Sequence, residues 1–283
     1  LTGRLFHLNH KKLEQDENQK KTTRMKRSIK SIRWLSTFSA LAAATLLGTG
    51  CASSGRELLL KEYGPTVPPR ADQALKGKTV CLQGFQCASS LVDPKPASQP
   101  DSAPGFTYVP FTAEQQKTWA EETQARKLSV PKEDWREIGN VRTGIGAVIG
   151  HVYALNDPGD WLAETLKLDL ESLGARVVDA RQSDVADICV AGTIQFCRVD
   201  MYMKVWCDLV VDVEFRTQGR PTAKKVFHTA GSDSVLVTST ITQFYKPLRE
   251  SRQKFAQLVI QDIVQALKPT ATAMSTELRQ HGQ

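Results

Sequence analysis

The most informative feature of this 283-residue chain is what it has little of. Histidine is scarce. Of five in all, only His151 and His228 fall in segments that pattern as folded, and neither stands in a metal-spaced cluster or beside an evident nucleophile. No metal, cofactor or catalytic residue is therefore expected, and the chain reads as a non-enzyme. Net charge is also absent from most of it: residues 1–50 hold ten Lys or Arg against three Asp or Glu, which accounts for the whole formal charge of +7 and leaves 27 of each sign beyond. A neutral domain lacks the footprint of a phosphate-backbone binder, so nucleic acid is excluded as a partner. The apolar stretch Trp34 to Leu47 contains Ser and Thr and falls short of the ~20 residues that cross a bilayer as a helix. There is no internal repeat.

What is present first is an export signal. From Met25 a basic stretch (Lys26, Arg27, Lys30, Arg33) leads into an apolar one and then into small residues, the three-part logic of a secretory leader. It ends in Leu46-Leu47-Gly48-Thr49-Gly50-Cys51-Ala52-Ser53, which resembles the lipobox of bacterial lipoproteins. That resemblance implies cleavage before Cys51, lipid on Cys51, and membrane attachment through the acyl chains, each buried methylene contributing about 0.8 kcal/mol. Ala52 in place of Asp implies the outer membrane, facing the periplasm. Residues 1–24 read as an upstream extension without structure, 25–50 as the signal peptide and 51–77 as a lipidated tether, since Pro65, Pro68 and Pro69 favour extended chain.

One α/β domain is expected over 78–268, followed by a frayed tail over 269–283. Lys78 to Phe85 is its first strand, and the proline-rich insertion 88–111 is a loop. Thr112 and Gln115 form a capping-box signature for a helix to about Leu128, polar nearly all round and so placed on the surface. Glu137 to Thr143 reads as a strand. Asp157 caps a helix with Pro158 at its first position and Leu162, Leu166, Leu170 and Leu173 on one face, stopped by Gly174.

Strands follow. In Asp187 to Cys197, residues Ile188, Val190, Ile194 and Phe196 share a face, and from Met203 to Arg216 apolar and polar residues alternate throughout. Another strand spans Lys224 to Ala230, and a helix about Lys246 to Leu267 closes the domain. The order predicts a mixed, largely antiparallel sheet with helices packed on one face.

Over Ile138 to Leu267 the pattern resembles the YajG-like group of outer-membrane lipoproteins. The likeness rests on Ile138-Gly139-Asn140-Val141-Arg142-Thr143-Gly144, the helix from Asp160-Trp161-Leu162-Ala163 to Leu173-Gly174, the Ala186-Asp187 strand with Gly192, and Gly231 before the Tyr245 helix. It implies the α/β fold of periplasmic assembly and transport-auxiliary lipoproteins, and no activity or cofactor.

Other motifs have plain readings. Gly144, Gly146 and Gly150 miss the spacing of a dinucleotide loop and read as turn glycines. Five cysteines remain beyond Cys51. Cys81 and Cys87 are near enough in sequence to bridge a small loop; strand parity sets Cys207 on the apolar face and Cys189 and Cys197 on the other, and at least one thiol stays free. Trp206 and Val210, outward among charges, suit either a protein partner or a covering helix. The function expected is a non-enzymatic binding or envelope-assembly module with an envelope protein partner or self-association. The alternatives are an auxiliary subunit of an envelope transport system and a periplasmic hydrolase.

Overall fold

The computed structural model describes residues 56–68, 74–93, 95–143, 145–234 and 241–268. The upstream extension, the signal peptide, Cys51 and the C-terminal tail lie outside the described residues.

Strand β6 (Ile188–Tyr202) organises the sheet because it is long enough to hold two shorter strands end to end along one edge. On that edge, β2 (Thr79–Cys87) pairs in parallel with its first half and β3 (Arg136–Arg142) in parallel with its second. Beyond β2 lies the short parallel strand β5 (Arg176–Val178). Beyond β3 lie antiparallel β4 (Val148–Ala154) and then parallel β1 (Arg56–Leu58). The other edge of β6 carries antiparallel β7 (Lys204–Thr217) and β8 (Ala223–Ser234). The mixed eight-stranded sheet matches the α/β expectation, with most paired residues in antiparallel ladders.

Three helices are described: α1 (Ala113–Ser129), α2 (Pro158–Ser172) and α3 (Ile241–Ala266). In α2 the Asp157 carboxylate accepts from the Gly159 and Asp160 amides, and the Leu162, Leu166 and Leu170 row is buried on β2 and β5. Helix α3 lies beside α2 and covers β7 and β8, with Leu248, Phe255, Val259 and Ile263 buried. Against it, β7 buries Val205, Cys207, Leu209, Val211, Val213 and Phe215, the predicted alternate set. Helix α3 runs from Ile241, so Pro247 lies inside it, in the second turn. None of the described helices is long and apolar enough to cross a membrane.

Two expectations fail on packing. The tether prediction is wrong from residue 56 onward: β1 pairs with β4, and Leu58, Leu60, Thr66 and Val67 are buried. Asp169 of α2 holds this segment by accepting from the Thr66 and Val67 amides, and Asn156 exchanges two bonds with the main chain of Leu60. The parity of β6 also changes partway. Gln195 is the extra residue of a bulge between Ile194 and Phe196. Phe196 therefore joins Val210 on the outer side, and Cys197 and Val199 enter the core with Cys207.

The proline-rich segment is a strap rather than a free loop. Leaving β2, it bonds along the β6 edge between β2 and β3 through Ala88 to Ile194 and Leu91 to Cys197. It then crosses the outer face, where Lys95 lies over the Trp206 ring and Ser98 meets the His228 ring. At Asp101 it rounds the β8 edge: its amide donates to the His228 carbonyl, and its carboxylate accepts from the His228 amide at 2.8 Å. Along α3 it is held by Gln253, which exchanges two bonds with the main chain of Val109.

Candidate functional site

Where the strap meets α1 and the start of α3, aromatic side chains form a cleft of about 240 Å³. The capping box at Thr112 and Gln115 starts α1 as predicted, and the helix docks through Trp119, which is fully buried despite its polar neighbours. Trp119 stacks on Tyr245 at 4.7 Å between ring centres and donates its indole N–H to the Leu59 carbonyl at 2.7 Å. Tyr245 donates its hydroxyl proton to the Lys61 carbonyl, and that oxygen accepts from the Lys61 amide at 2.7 Å. The 56–62 segment thus anchors two of the cleft's aromatic walls through its main chain.

The charges here are already matched. Arg249 donates from Nε and Nη2 to the two oxygens of Glu62 at 2.8 and 2.6 Å, both side chains being buried. Its guanidinium carbon lies 3.6 Å from the centre of the Phe111 ring, and Nη1 donates to the Tyr108 hydroxyl at 3.2 Å. Burial opposes the Arg249 charge, but the Glu62 contact outweighs it and the pKa is raised. Lys246 donates to Asp233 at 2.7 Å, which raises the lysine's pKa. Burial raises the Tyr108 and Tyr245 phenols above their ordinary value, so both remain protonated at neutral pH. The cleft offers flat aromatic faces and satisfied ions, a surface suited to recognition. Its volume is below the ~300–1,000 Å³ usual for small-molecule pockets and suits a protruding side chain.

A broader groove of about 600 Å³ lies on the outer face of the sheet, lined by Gln83, Gln86, Thr193, Asp212, Glu214 and Lys224. Its ions are matched too: Glu214 pairs with Lys224 and Arg216, which hold its carboxyl below the usual range, and Gln195 donates to Asp212.

The predicted site residues are dispersed. Trp206 and Val210 do lie on the outer face, but the strap occupies that surface: Lys95 covers the Trp206 ring, and Val210 is buried between Phe196 and His228 in the cross-strand row. The covering helix is not found: the strap crosses this face instead, and Trp206 remains half-buried. His228 is buried with Ser98 and Asp208 around its ring, and His151 pairs with Glu137 in the open. Among the described residues no group of three or more His, Cys, Asp or Glu is placed to hold a metal.

The Cys81 to Cys87 bridge is not formed. Both lie on β2 six residues apart, about 20 Å at ~3.3 Å per residue, whereas a disulfide requires Cα atoms within ~7 Å. Cys81 instead faces its register partner Cys189 in a small buried cluster with Val178 and Ala186. Burial first, then the Cys189 thiol, pushes Cys81 up to about 12. Cys87 donates to the Asp157 carboxylate at 3.5 Å, and burial together with that charge pushes it up to about 12. Cys197 and Cys207 adjoin in the main core, where burial holds Cys207 well above its ordinary value. The five cysteines among the described residues are free thiols.

Sequence reasoning missed the cleft because its walls come from three distant segments. The local signals were the aromatics Tyr108, Phe111 and Trp119 in a stretch otherwise read as loop and polar helix.

No family model matches the chain, and no curated protein matches it. Among solved structures it is similar to protein XCC0632 from Xanthomonas campestris, of family DUF330, at 9% identity and a TM-score of 0.43, over 75% of this chain and 96% of that one. An uncharacterized protein is similar at 9% identity and a TM-score of 0.41, over 74% of this chain and 99% of that one. The hypothetical protein CT253 from Chlamydia trachomatis is similar at 11% identity and a TM-score of 0.28, over 67% of this chain and 98% of that one.

Proposed function

We propose that this chain is a lipid-anchored, non-enzymatic binding module of the bacterial envelope, of YajG-like character, attached through Cys51 to the outer membrane and facing the periplasm. The observation that carries the binding role is the cleft between α1, α3 and the strap. Four aromatic rings and two ion pairs define a slot of about 240 Å³, sized for a side chain of a protein partner. Its carboxylates are engaged by Arg249 and Lys246 and its phenols are protonated, which supports recognition over acid–base chemistry.

The test is photo-cross-linking in living cells, with a photoreactive residue replacing Gln116 at the cleft and a control replacing exposed Glu164 on α2. One reproducible envelope protein adduct from position 116 alone is expected. No adduct from position 116, or equal adducts from both, would overturn the binding role. Mass spectrometry of the membrane-extracted protein checks the anchor: acyl chains on Cys51 are expected, and an intact leader or an unmodified Cys51 would refute it.

A further inference from the structure

Two turns sit side by side at one end of the sheet. Strand β3 runs parallel to the end of β6, with Val141 beside Met201, so the β3–β4 turn and the β6–β7 turn project in the same direction. Gly146 of the first lies against the Tyr202 ring of the second. Both turns present apolar side chains to solvent: Ile145 is 91% exposed and Met203 is 80% exposed, with Val148, Ile149 and Tyr202 around them. Met203 takes a left-handed conformation at φ 60°, which costs a non-glycine residue energy and projects its side chain from the turn. Exposed Lys204 follows it. Behind it Arg142 and Arg198 both donate to the carboxylate of Asp200, at 3.0 and 2.9 Å.

The chain enters the domain from this same end. Strand β1 is parallel to β4 with Arg56 beside Val152, so its N-terminal end faces the end of the sheet that carries the tip. Four residues separate Cys51 from Arg56, and five extended steps span at most about 18 Å. From Arg56 to the level of Val148 is already about 13 Å along the strand. A bilayer that holds a lipid on Cys51 must therefore pass within about 18 Å of Arg56, and where it faces the tip only a few ångströms remain between them.

From this we infer that the paired turns are a membrane-contacting tip. Ile145 and Met203 enter the interfacial layer, and Lys204 lies against anionic lipid headgroups. The inference rests on the lipid anchor proposed above. It fixes the orientation of the tethered domain: the sheet stands on its tip.

Fluorescence of the lipidated full-length mature protein, reconstituted in phosphatidylethanolamine–phosphatidylglycerol vesicles with brominated acyl chains, tests this. In Ile145→Trp the added emission should be blue-shifted and quenched at least twofold relative to non-brominated vesicles. In Leu128→Trp, on the exposed end of α1 beside the β1 edge, the added emission should remain as in water. Quenching at 128 without quenching at 145 means that the domain lies on its side, and overturns the tip. So does quenching at neither position. Acyl chains found on Cys51 with no quenching at 145 sink the tip alone, whereas Cys51 without acyl chains sinks the anchor and the tip together.

Discussion

Arg252 of α3 donates from Nη2 to Asp169 of α2 at 2.5 Å, both side chains almost wholly removed from solvent. The pair does more than join two helices. Asp169 also accepts from the Thr66 and Val67 amides, and Arg252 Nε donates to the Thr165 hydroxyl at 2.8 Å. Helices α2 and α3 and the first segment of the domain thereby meet at one carboxylate. Breaking a buried pair from one side leaves an uncompensated charge and costs about 3–5 kcal/mol. Asp169→Ala should lose at least that in urea unfolding, because two amides lose their acceptor as well. Arg252→Met, which leaves the amide bonds in place, should lose less.

Five residues earlier on α3 the limit is space. A Cβ on Gly231 of β8 would stand 2.1 Å from the Pro247 carbonyl oxygen, so strand and helix touch through main-chain atoms. Gly231→Ala should lower stability by roughly 1–3 kcal/mol by forcing them apart. The reciprocal bonds between Thr229 and Ser251, two residues away along the strand, should lengthen. Thermal unfolding measures the first effect and a crystal structure of the variant the second.

The thiols make a prediction about pH. Cys81 and Cys87 are pushed up to about 12, whereas a free cysteine in the unfolded chain ionises near ~8.5. A group whose pKa is raised by folding contributes stability that is intact below the unfolded value. That contribution is lost as pH rises through the folded one, because the unfolded chain releases the proton first. Stability should therefore decline from pH ~8.5 towards about 12, and Cys81→Ala should flatten part of that slope in denaturant titrations. In the native state near pH ~7, alkylation of both thiols should be slow, rising sharply only in denaturant.

Asp101 is the clasp of the strap, since it bonds both main-chain groups of His228 at the β8 edge. Asp101→Ala should cost about 1–2 kcal/mol. Hydrogen exchange should accelerate at the His228 amide and along residues 95–101 while the β6 and β7 amides stay protected. If protection of the whole sheet collapses instead, the strap is integral to folding and not a separable cover.

Much of this architecture is visible in the residues themselves. Asp157, Pro158 and the leucine row mark α2 because cap, first turn and buried face all act locally. The alternation from Val205 to Phe215 marks β7 for the same reason. Three features resisted. The bulge at Gln195 has no local signature, yet it inverts every side chain after it, which is why Phe196 and Cys197 were assigned to the wrong faces. Leu58, Leu60 and Val67 are too few and too interrupted by proline to show a period, and their burial depends on Asn156 and Asp169 about a hundred residues away. The strap reads as loop because it forms no regular element, only isolated bonds to three different edges and faces.

That clasp also bears on how copies of this protein would coexist if anchored as proposed. Molecules held on a membrane meet in two dimensions, at local concentrations far above those in free solution. An open strand edge there is a template on which the next copy can add a strand. By occupying the amide and carbonyl of His228, Asp101 removes the central rung of that template, while the edges at β1 and β5 are only three residues long. A crowded layer of such domains can remain a population of separate molecules, each free to engage something other than itself.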